Sequence, residues 1–142
     1  MNANYTFEVD PSRDFVRLQM RGFFSPADLP AFMAARQASH ARLTCAANAH
    51  VTLIDARELK IQSQEMIDAF GRMLSVSGYH ARRLAFVIPR GLLRTQLCRA
   101  IGDREDVSHF ESVRMAEAWL FASVAGARIQ NLVGQQALRT SA

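Results

Sequence analysis

Two polar residues whose side chains could take part in chemistry lie close together in the stretch VTLIDARELKIQSQEMIDAF. Asp55 follows an apolar run, and Ser63 precedes a run of helical periodicity. General acid or base catalysis by Asp55 would need a second titratable partner within hydrogen-bond reach, which one sequence does not show. The hydroxyl of Ser63 suits a helix N-cap, where it would accept a backbone N–H bond. We therefore expect a site for binding or regulation here, with Asp55 making a charge pair or a loop hydrogen bond.

Arg90 and Arg94 form a second set, at the predicted start of a later helix. Exposed N–H groups and a guanidinium at such a point can hold an anion together. The surrounding PRGLLR lacks the glycine spacing of a P-loop or a dinucleotide loop. The two arginines are thus a candidate anion-binding pair without a nucleotide motif.

The four histidines are scattered along the chain, at His40, His50, His80 and His109. They show no i, i+4 pair and no acidic companion at ligand spacing, so we expect histidines of the surface or of loops. The sequence predicts no metal site and no cofactor.

Cys45 and Cys98 have neither the short spacing of a metal knuckle nor the density of a secreted disulfide scaffold. We expect free thiols that pack as small apolar groups. Because no nucleophile has an identifiable base, the sequence does not predict an enzyme.

The composition indicates one globular domain of 142 residues, of which 49% are hydrophobic. The formal net charge is +4, carried almost entirely by arginines that are dispersed and not interleaved with aromatic residues. This pattern predicts a solvated surface and no nucleic-acid partner. No apolar run has the length of a signal peptide or a membrane span, so we expect a cytoplasmic protein without stable membrane insertion.

Periodicity then defines the elements that position these residues. We expect strands at 5–9, 15–21, 51–55, 84–88 and 107–110, and helices at 29–43, 63–77, from the turn at 89–91 to 101, and from 112 onward to about 124. The first helix should take Asp28 rather than Ser25 as its N-cap, since proline is tolerated only in a first turn. The order ββαβαβαβα predicts an α/β domain with a mixed, mainly parallel sheet and an N-terminal antiparallel hairpin.

We place this domain at 1–124, followed by a C-terminal tail at 125–142. Ile129, Leu132 and Val133 give the tail a short amphipathic helix that would dock on the domain or join two subunits. Trp119 lies on the inward row of the last domain helix and is expected in the core. Of the pair Phe23 and Phe24, alternation sends one inward and the other toward solvent or a partner.

Taken together, these segments resemble the SpoIIAA-like branch of the STAS proteins, a group that includes small bacterial proteins. The resemblance covers about residues 5–124 and is carried by RLQMRGFFSPADLPAFMAA, VTLIDAR, SQEMIDAF, RRLAFVIP and AEAWL. It implies a small α/β domain that binds proteins or, in some relatives, small molecules, without chemistry of its own.

In partner-switching members of that family, a serine at the start of the helix after the central strand is phosphorylated, and the complex with a kinase then breaks. The matching residue is Ser63 in KIQSQEM. Those members usually have an aspartate before the serine and a small residue after it, where this chain has Gln62 and Gln64. The candidate partner-binding and regulatory set is therefore Ser63, Asp55, Arg57, Gln62 and Gln64.

We accordingly expect a non-enzymatic protein-interaction or regulatory module, with an unidentified protein or a second copy of the chain as partner. The alternative is a carrier of a small apolar molecule or a lipid, in the related Sec14-like arrangement. A cavity lined by Met33, Met66, Phe70 and Met73 would favour the carrier, because methionine-rich walls adapt to apolar ligands. A close-packed core would favour the interaction module.

Overall fold

The opening hairpin and three later strands form one five-stranded sheet whose spatial order follows the chain. In the computed structural model, which describes residues 2–75, 80–102 and 104–122, β1 (Asn4–Asp10) pairs antiparallel with β2 (Phe15–Gly22). The remaining strands join in parallel, as β3 (Val51–Leu59), β4 (Arg83–Val87) and β5 (Val107–Phe110). The predicted mixed sheet with its antiparallel hairpin is confirmed. The predicted tail at 125–142 lies outside the described residues.

Helices cover both faces of the sheet unequally. The helices are α1 (Leu29–His40), α2 (Gln64–Leu74), α3 (Leu92–Ile101) and α4 (Val113–Phe121). The first three pack on one face, which we call the three-helix face, and α4 packs alone on the other, the α4 face. No helix among the described residues is long and apolar enough to cross a membrane.

The three-helix face carries the larger core. Alternate residues of the strands meet the buried row of α2, which includes Met66, Ile67, Phe70 and Met73 as the periodicity predicts. The ring centroid of Phe24 lies 5.6 Å from that of Phe70 and 5.7 Å from that of Phe32 on α1. These edge-to-face contacts join the connection after β2 to both helices.

On the α4 face, Trp119 is 2% exposed and packs with Phe110 and the inward residues of β3 and β4. The end of α4 is held by Arg83 of β4, whose Nη1 donates to the carbonyl oxygens of Trp119 at 3.1 Å and Leu120 at 3.2 Å. A guanidinium at this position satisfies carbonyls that the last turn of a helix leaves unpaired. The core position of Trp119 is confirmed, whereas no sequence pattern predicts this cap.

Several predicted boundaries are wrong, and hydrogen bonding explains them. β3 continues beyond Asp55 to Leu59, because its parallel pairing with β2 also continues. The register between the two strands shifts once, after which Arg21 lies opposite Glu58. α1 ends at His40 and α2 at Leu74, several residues early, since the amides of Arg42, Leu43 and Ser75 bond to carbonyls three residues back. Met33, predicted inward on α1, is 51% exposed because neighbouring Phe32 occupies the buried position.

The entry to α1 also differs in detail. Asp28 does hold the N-cap position, but its carboxylate accepts from the backbone N–H of Ser25 at 2.8 Å and from its hydroxyl at 3.0 Å. These bonds close the short 3₁₀ helix Pro26–Asp28 before α1. Ser25 and Asp28 therefore act as a pair.

Candidate functional site

The connections after β2, β3 and β4 leave the sheet at the same edge, because these neighbouring strands run parallel. This edge is where ligands and partners are usually received in parallel α/β sheets. In this chain the side chain of Gln62, which is only 3% exposed, links the connection after β2 to the connection after β3 by hydrogen bonds. Its Oε1 accepts from the Phe24 backbone N–H at 2.9 Å, and its Nε2 donates to the carbonyls of Gly22 at 3.0 Å and Lys60 at 2.6 Å.

A further hydrogen bond brings α3 into the same assembly, since Gln96 Nε2 donates to the Gln62 carbonyl at 3.0 Å. Gln62 thus ties together the connection after β2, the loop before α2, and α3. The buried Gln62 amide leaves the side chain no surface for a partner in this conformation, so its evident task is to hold the loop.

Around this assembly, three large apolar side chains face outward. Phe23 is 43% exposed, Ile61 is 52% exposed, and Leu92 is 60% exposed. We call these three residues the edge patch. Phe23 and Ile61 lie beside each other, because the bonds of Gly22 and Phe24 to Lys60 and Gln62 bracket them. Phe24 itself is fully buried, which confirms the predicted inward and outward division of the two phenylalanines.

Ser63 lies beside the patch and caps α2. Its Oγ accepts from the Met66 backbone N–H at 3.2 Å, and Glu65 sits in the first turn, where a negative charge suits the helix dipole. The neighbouring Gln64 is exposed, and its Nε2 donates to Asp68 Oδ1 at 2.9 Å. The predicted cap is confirmed, and both side chains lie at the protein surface.

Asp55 and Arg57 do not join this surface in the way the sequence suggests. Leu53 belongs to the α4 face and Ile54 to the three-helix face, so alternation directs Asp55 to the α4 face, opposite α2. Asp55 is 2% exposed, and Arg57 Nη2 and Nε donate to its two oxygens at 2.7 and 2.9 Å. Burial raises the pKa of Asp55, but the hydrogen bonds and the charge of Arg57 outweigh it and hold that pKa below its usual range. The carboxylate is paired and ionised, which suits a structural charge pair.

The two arginines of the candidate anion-binding pair lie in different environments, one at the surface and one buried. Arg90 Nε lies 3.3 Å from Glu111 Oε1 at the surface. Arg94, in the first turn of α3, is buried, and burial lowers the pKa of its guanidinium. The Nη1 atom of Arg94 has no hydrogen-bond partner within the described parts of the chain. Both arginines nevertheless lie at the sheet edge that carries Ser63.

Cys98 of α3 contacts His109 of β5, which no sequence pattern predicts. The Sγ and Nε2 atoms lie 3.5 Å apart. Burial and the charge of Arg94 lower the pKa of His109 to about 4, while burial raises that of the Cys98 thiol. At neutral pH this is an uncharged thiol beside an uncharged imidazole, which is not an activated nucleophile. Only the strand and helix packing could reveal it, since eleven residues separate the two in sequence.

Both cysteines are free thiols, as expected, but neither is fully buried, so the prediction that they pack as small apolar groups is wrong. The histidines depart from expectation, because His50 is only 1% exposed and its ring centroid lies 4.8 Å from that of His40. His80 Nε2 lies 2.7 Å from Asp106 Oδ2, which Arg104 also contacts at 2.8 Å. Within residues 2–75, 80–102 and 104–122, no group of three or more potential ligands could hold a metal ion.

A cavity of about 50 Å³ lies between the sheet, α1 and α2. Its walls are mostly apolar and include Phe70 and Met73, with Arg36 and His40 of α1 also on the lining. Met33 and Met66, which the sequence analysis placed there, do not line it. The core is thus neither fully close-packed nor opened by a methionine-rich pocket.

Comparison with known proteins assigns the fold. No protein-family model matches the sequence, and no curated protein matches it significantly. The structure is similar to that of an uncharacterized protein from the DUF3478 family with a SpoIIAA-like fold, from Shewanella loihica PV-4. The TM-score is 0.61 at 20% sequence identity, over 83% of this chain and 94% of the other. The expected SpoIIAA-like fold is therefore confirmed.

Proposed function

We propose that this SpoIIAA-like domain is a non-enzymatic recognition module that binds a protein partner through the edge patch and the adjoining start of α2. One observation carries the proposal. Phe23 and Ile61 are 43% and 52% exposed on connections that hydrogen bonds lock together, and Leu92 is 60% exposed at the start of α3, the helix that Gln96 ties to the same loop.

The chemistry of the patch suits a protein interface. Covering a large apolar side chain completely contributes about 1.5–3 kcal/mol, so covering the exposed halves of these three would contribute roughly 2–4 kcal/mol. Lys60, Ser63, Gln64 and Glu65 are exposed around it and supply a polar rim. An apolar centre within a polar rim is the usual anatomy of a protein interface.

Rigidity adds to this argument. The four hydrogen bonds that Gln62 makes through its side chain and its carbonyl fix the backbone that carries the patch. A surface already ordered before binding loses less conformational entropy when a partner arrives.

Ser63 offers this surface a means of control. Phosphorylation would add about 1.5 to 2 negative charges beside the apolar residues. The start of α2 favours that charge, whereas Glu65 opposes it, so the larger effect would fall on the partner rather than on the fold. A Ser63→Asp variant should lose a partner that Ser63→Ala retains. Equal capture of the partner by both variants would exclude the switch while leaving the interface itself intact.

Site-specific crosslinking tests the interface directly. A photoreactive amino acid at position 61 should crosslink a partner in the lysate of the source cells, and Leu92→Arg in the same chain should abolish the adduct. Met115 is the matched control, because it is 57% exposed but lies on α4, across the sheet. A probe at Ile61 that crosslinks no more than one at Met115 would contradict the proposal.

The cavity supports a second candidate, a carrier of a small apolar molecule. Its volume of about 50 Å³ is well below that of an engineered apolar cavity of roughly 150 Å³ that admits benzene. A lipid would therefore require α1 to move away from the sheet. Arg36 at the lining would then suit a ligand with an acidic head.

Native mass spectrometry of the purified protein separates the two candidates. A carrier should retain a bound small molecule, and Met73→Trp, which fills the cavity, should displace it. If the protein carries no small molecule and binds no fatty acid at micromolar concentration, the carrier function is ruled out. The crosslinking result would be unaffected.

A further inference from the structure

The first strand of the sheet has a free edge. The strand order places β1 at one side of the sheet and β5 at the other, so within the described residues no strand pairs with the outer side of either. β5 is only four residues long, whereas β1 has seven residues and pairs with β2 in a regular register without a bulge. The outward N–H and C=O groups of such an edge strand form a template on which another strand can pair.

β1 lacks the features that usually protect an edge strand, which are shortness, proline, lysine and a bulge. Its sequence NYTFEVD contains neither proline nor lysine. The exposed charge within the strand is that of Glu8, because the carboxylate of Asp10 is held at the strand end by Ser12 and Arg13, at 2.6 and 2.8 Å. A strand that pairs with this edge must therefore avoid a negative charge opposite Glu8.

A second copy of β1, running antiparallel, meets that condition. Side chains directly opposite each other in an antiparallel pair lie on the same face, so the twofold axis passes through a residue. An axis at Phe7 pairs all seven residues, with Tyr5 opposite Val9 and Thr6 opposite Glu8. Every other axis pairs fewer residues, and an axis at Glu8 sets two carboxylates face to face. The strand is thus complementary to itself in charge and in length.

The apolar side chains of β1 also suit this pairing. Tyr5, Phe7 and Val9 lie on the three-helix face and are only half-buried, so a second copy would cover more of their surface. In the register about Phe7 they meet one another across the axis. Aromatic and β-branched residues that lie opposite each other stabilise an antiparallel pair.

α1 leaves room beside this edge. Its Phe32 packs on Tyr5 and Phe7, with ring centroids 5.0 and 5.5 Å apart. At its end, His40 lies toward β3, because its ring centroid is 4.8 Å from that of His50. With 3.6 residues per turn, the opposite flank of α1 lies beyond β1 and carries short side chains, those of Ala31, Ala35 and Ala38. No bulky group on that flank holds a second copy away.

We propose that β1 is a dimerisation strand, which pairs antiparallel with β1 of a second copy about Phe7 and joins the two sheets into one continuous sheet. Two pairs of Thr6 with Glu8, one on each side of the axis, fix the register. Phe7 packs on its own symmetry mate at the centre. The proposal does not depend on the edge patch, because no residue of β1 belongs to that patch.

Sedimentation velocity of the full chain over a range of concentrations tests the dimer. The chain should sediment as a dimer at high micromolar concentration. Thr6→Glu should weaken dimerisation about tenfold or more, because it sets a carboxylate opposite Glu8 in both pairs. Leu92→Arg, in the edge patch, is the control and should leave dimerisation unchanged. A monomer at every concentration, as expected if another segment of the same chain covers β1, would overturn the proposal. So would a dimer that Leu92→Arg disrupts and Thr6→Glu does not.

A charge exchange tests the register. Combining Thr6→Glu with Glu8→Lys should restore the dimer, because opposite charges then face each other in both pairs. Both positions are exposed, so neither change removes core packing. A double variant that is folded by circular dichroism but remains as weak a dimer as Thr6→Glu would contradict the register about Phe7.

Amide hydrogen exchange locates the interface without any substitution. Protection of residues 4–10 should rise with protein concentration, because the outward amides of β1 find acceptors only in the dimer. Protection that rises only elsewhere in the chain would exclude β1 as the dimerisation strand, whatever the crosslinking at position 61 shows.

Discussion

Replacing Gln62 by alanine tests whether this side chain holds the sheet edge together. The variant loses three hydrogen bonds, from the Phe24 N–H and to the carbonyls of Gly22 and Lys60, at 2.9, 3.0 and 2.6 Å. The Gly22 carbonyl still accepts a hydrogen bond from the Lys60 N–H at 3.0 Å, but the buried Phe24 N–H is left without an acceptor. An unsatisfied buried group costs about 1–3 kcal/mol, and each further lost bond about 0.5–1.5 kcal/mol.

We therefore expect Gln62→Ala to lower the free energy of unfolding by about 3 kcal/mol, which corresponds to a fall in Tm of about 10 °C for a domain of this size. Urea unfolding with an unchanged m value measures the difference. Gln64→Ala is the matched control, because Gln64 is exposed and makes a single side-chain bond to Asp68. That variant should change stability by no more than about 0.5 kcal/mol. Equal stability of the two variants would refute the structural role of Gln62.

Three further predictions concern stability. Arg83→Met should cost about 2 kcal/mol in urea unfolding, since it removes charge-assisted bonds to the end of α4; an unchanged midpoint would contradict the cap. Ser63→Ala should cost about 1 kcal/mol, and a neutral result would mean that the α2 cap is replaced by water. Burial lowers the pKa of His50 and His109 to about 4, so the unfolded state binds more protons between about pH 6.5 and 4. Stability should therefore fall across that window as the pH falls, by at most about 3 kcal/mol per histidine, and His109→Gln should reduce the slope; equal slopes for the two proteins would exclude His109 as a contributor.

The element order and the inward faces could be predicted because they depend on local information. The buried row of α2, the core position of Trp119 and the outward turn of Phe23 follow from periods of 3.6 and 2 that a short window already contains. The Ser63 cap is equally local, since its donor lies three residues away on Met66.

The end of β3 shows where local information stops. After Asp55 the chain reads as a polar connection, yet it remains a strand to Leu59 because β2 pairs with it through a shifted register. A strand with a long partner keeps its backbone bonds wherever the partner continues, whatever the polarity of its side chains.

By itself, the sequence determined the α/β class, the antiparallel hairpin, the helix faces and the resemblance to SpoIIAA-like proteins. Only the tertiary structure decided which polar residues lie close together in space. It directed Asp55 to the face opposite α2, gave Gln62 backbone partners 38 and 40 residues away, and buried Arg94 in the first turn of α3. The physical reason is that strand register and helix packing bring together residues distant in sequence, and burial then sets which of their polar atoms find a partner.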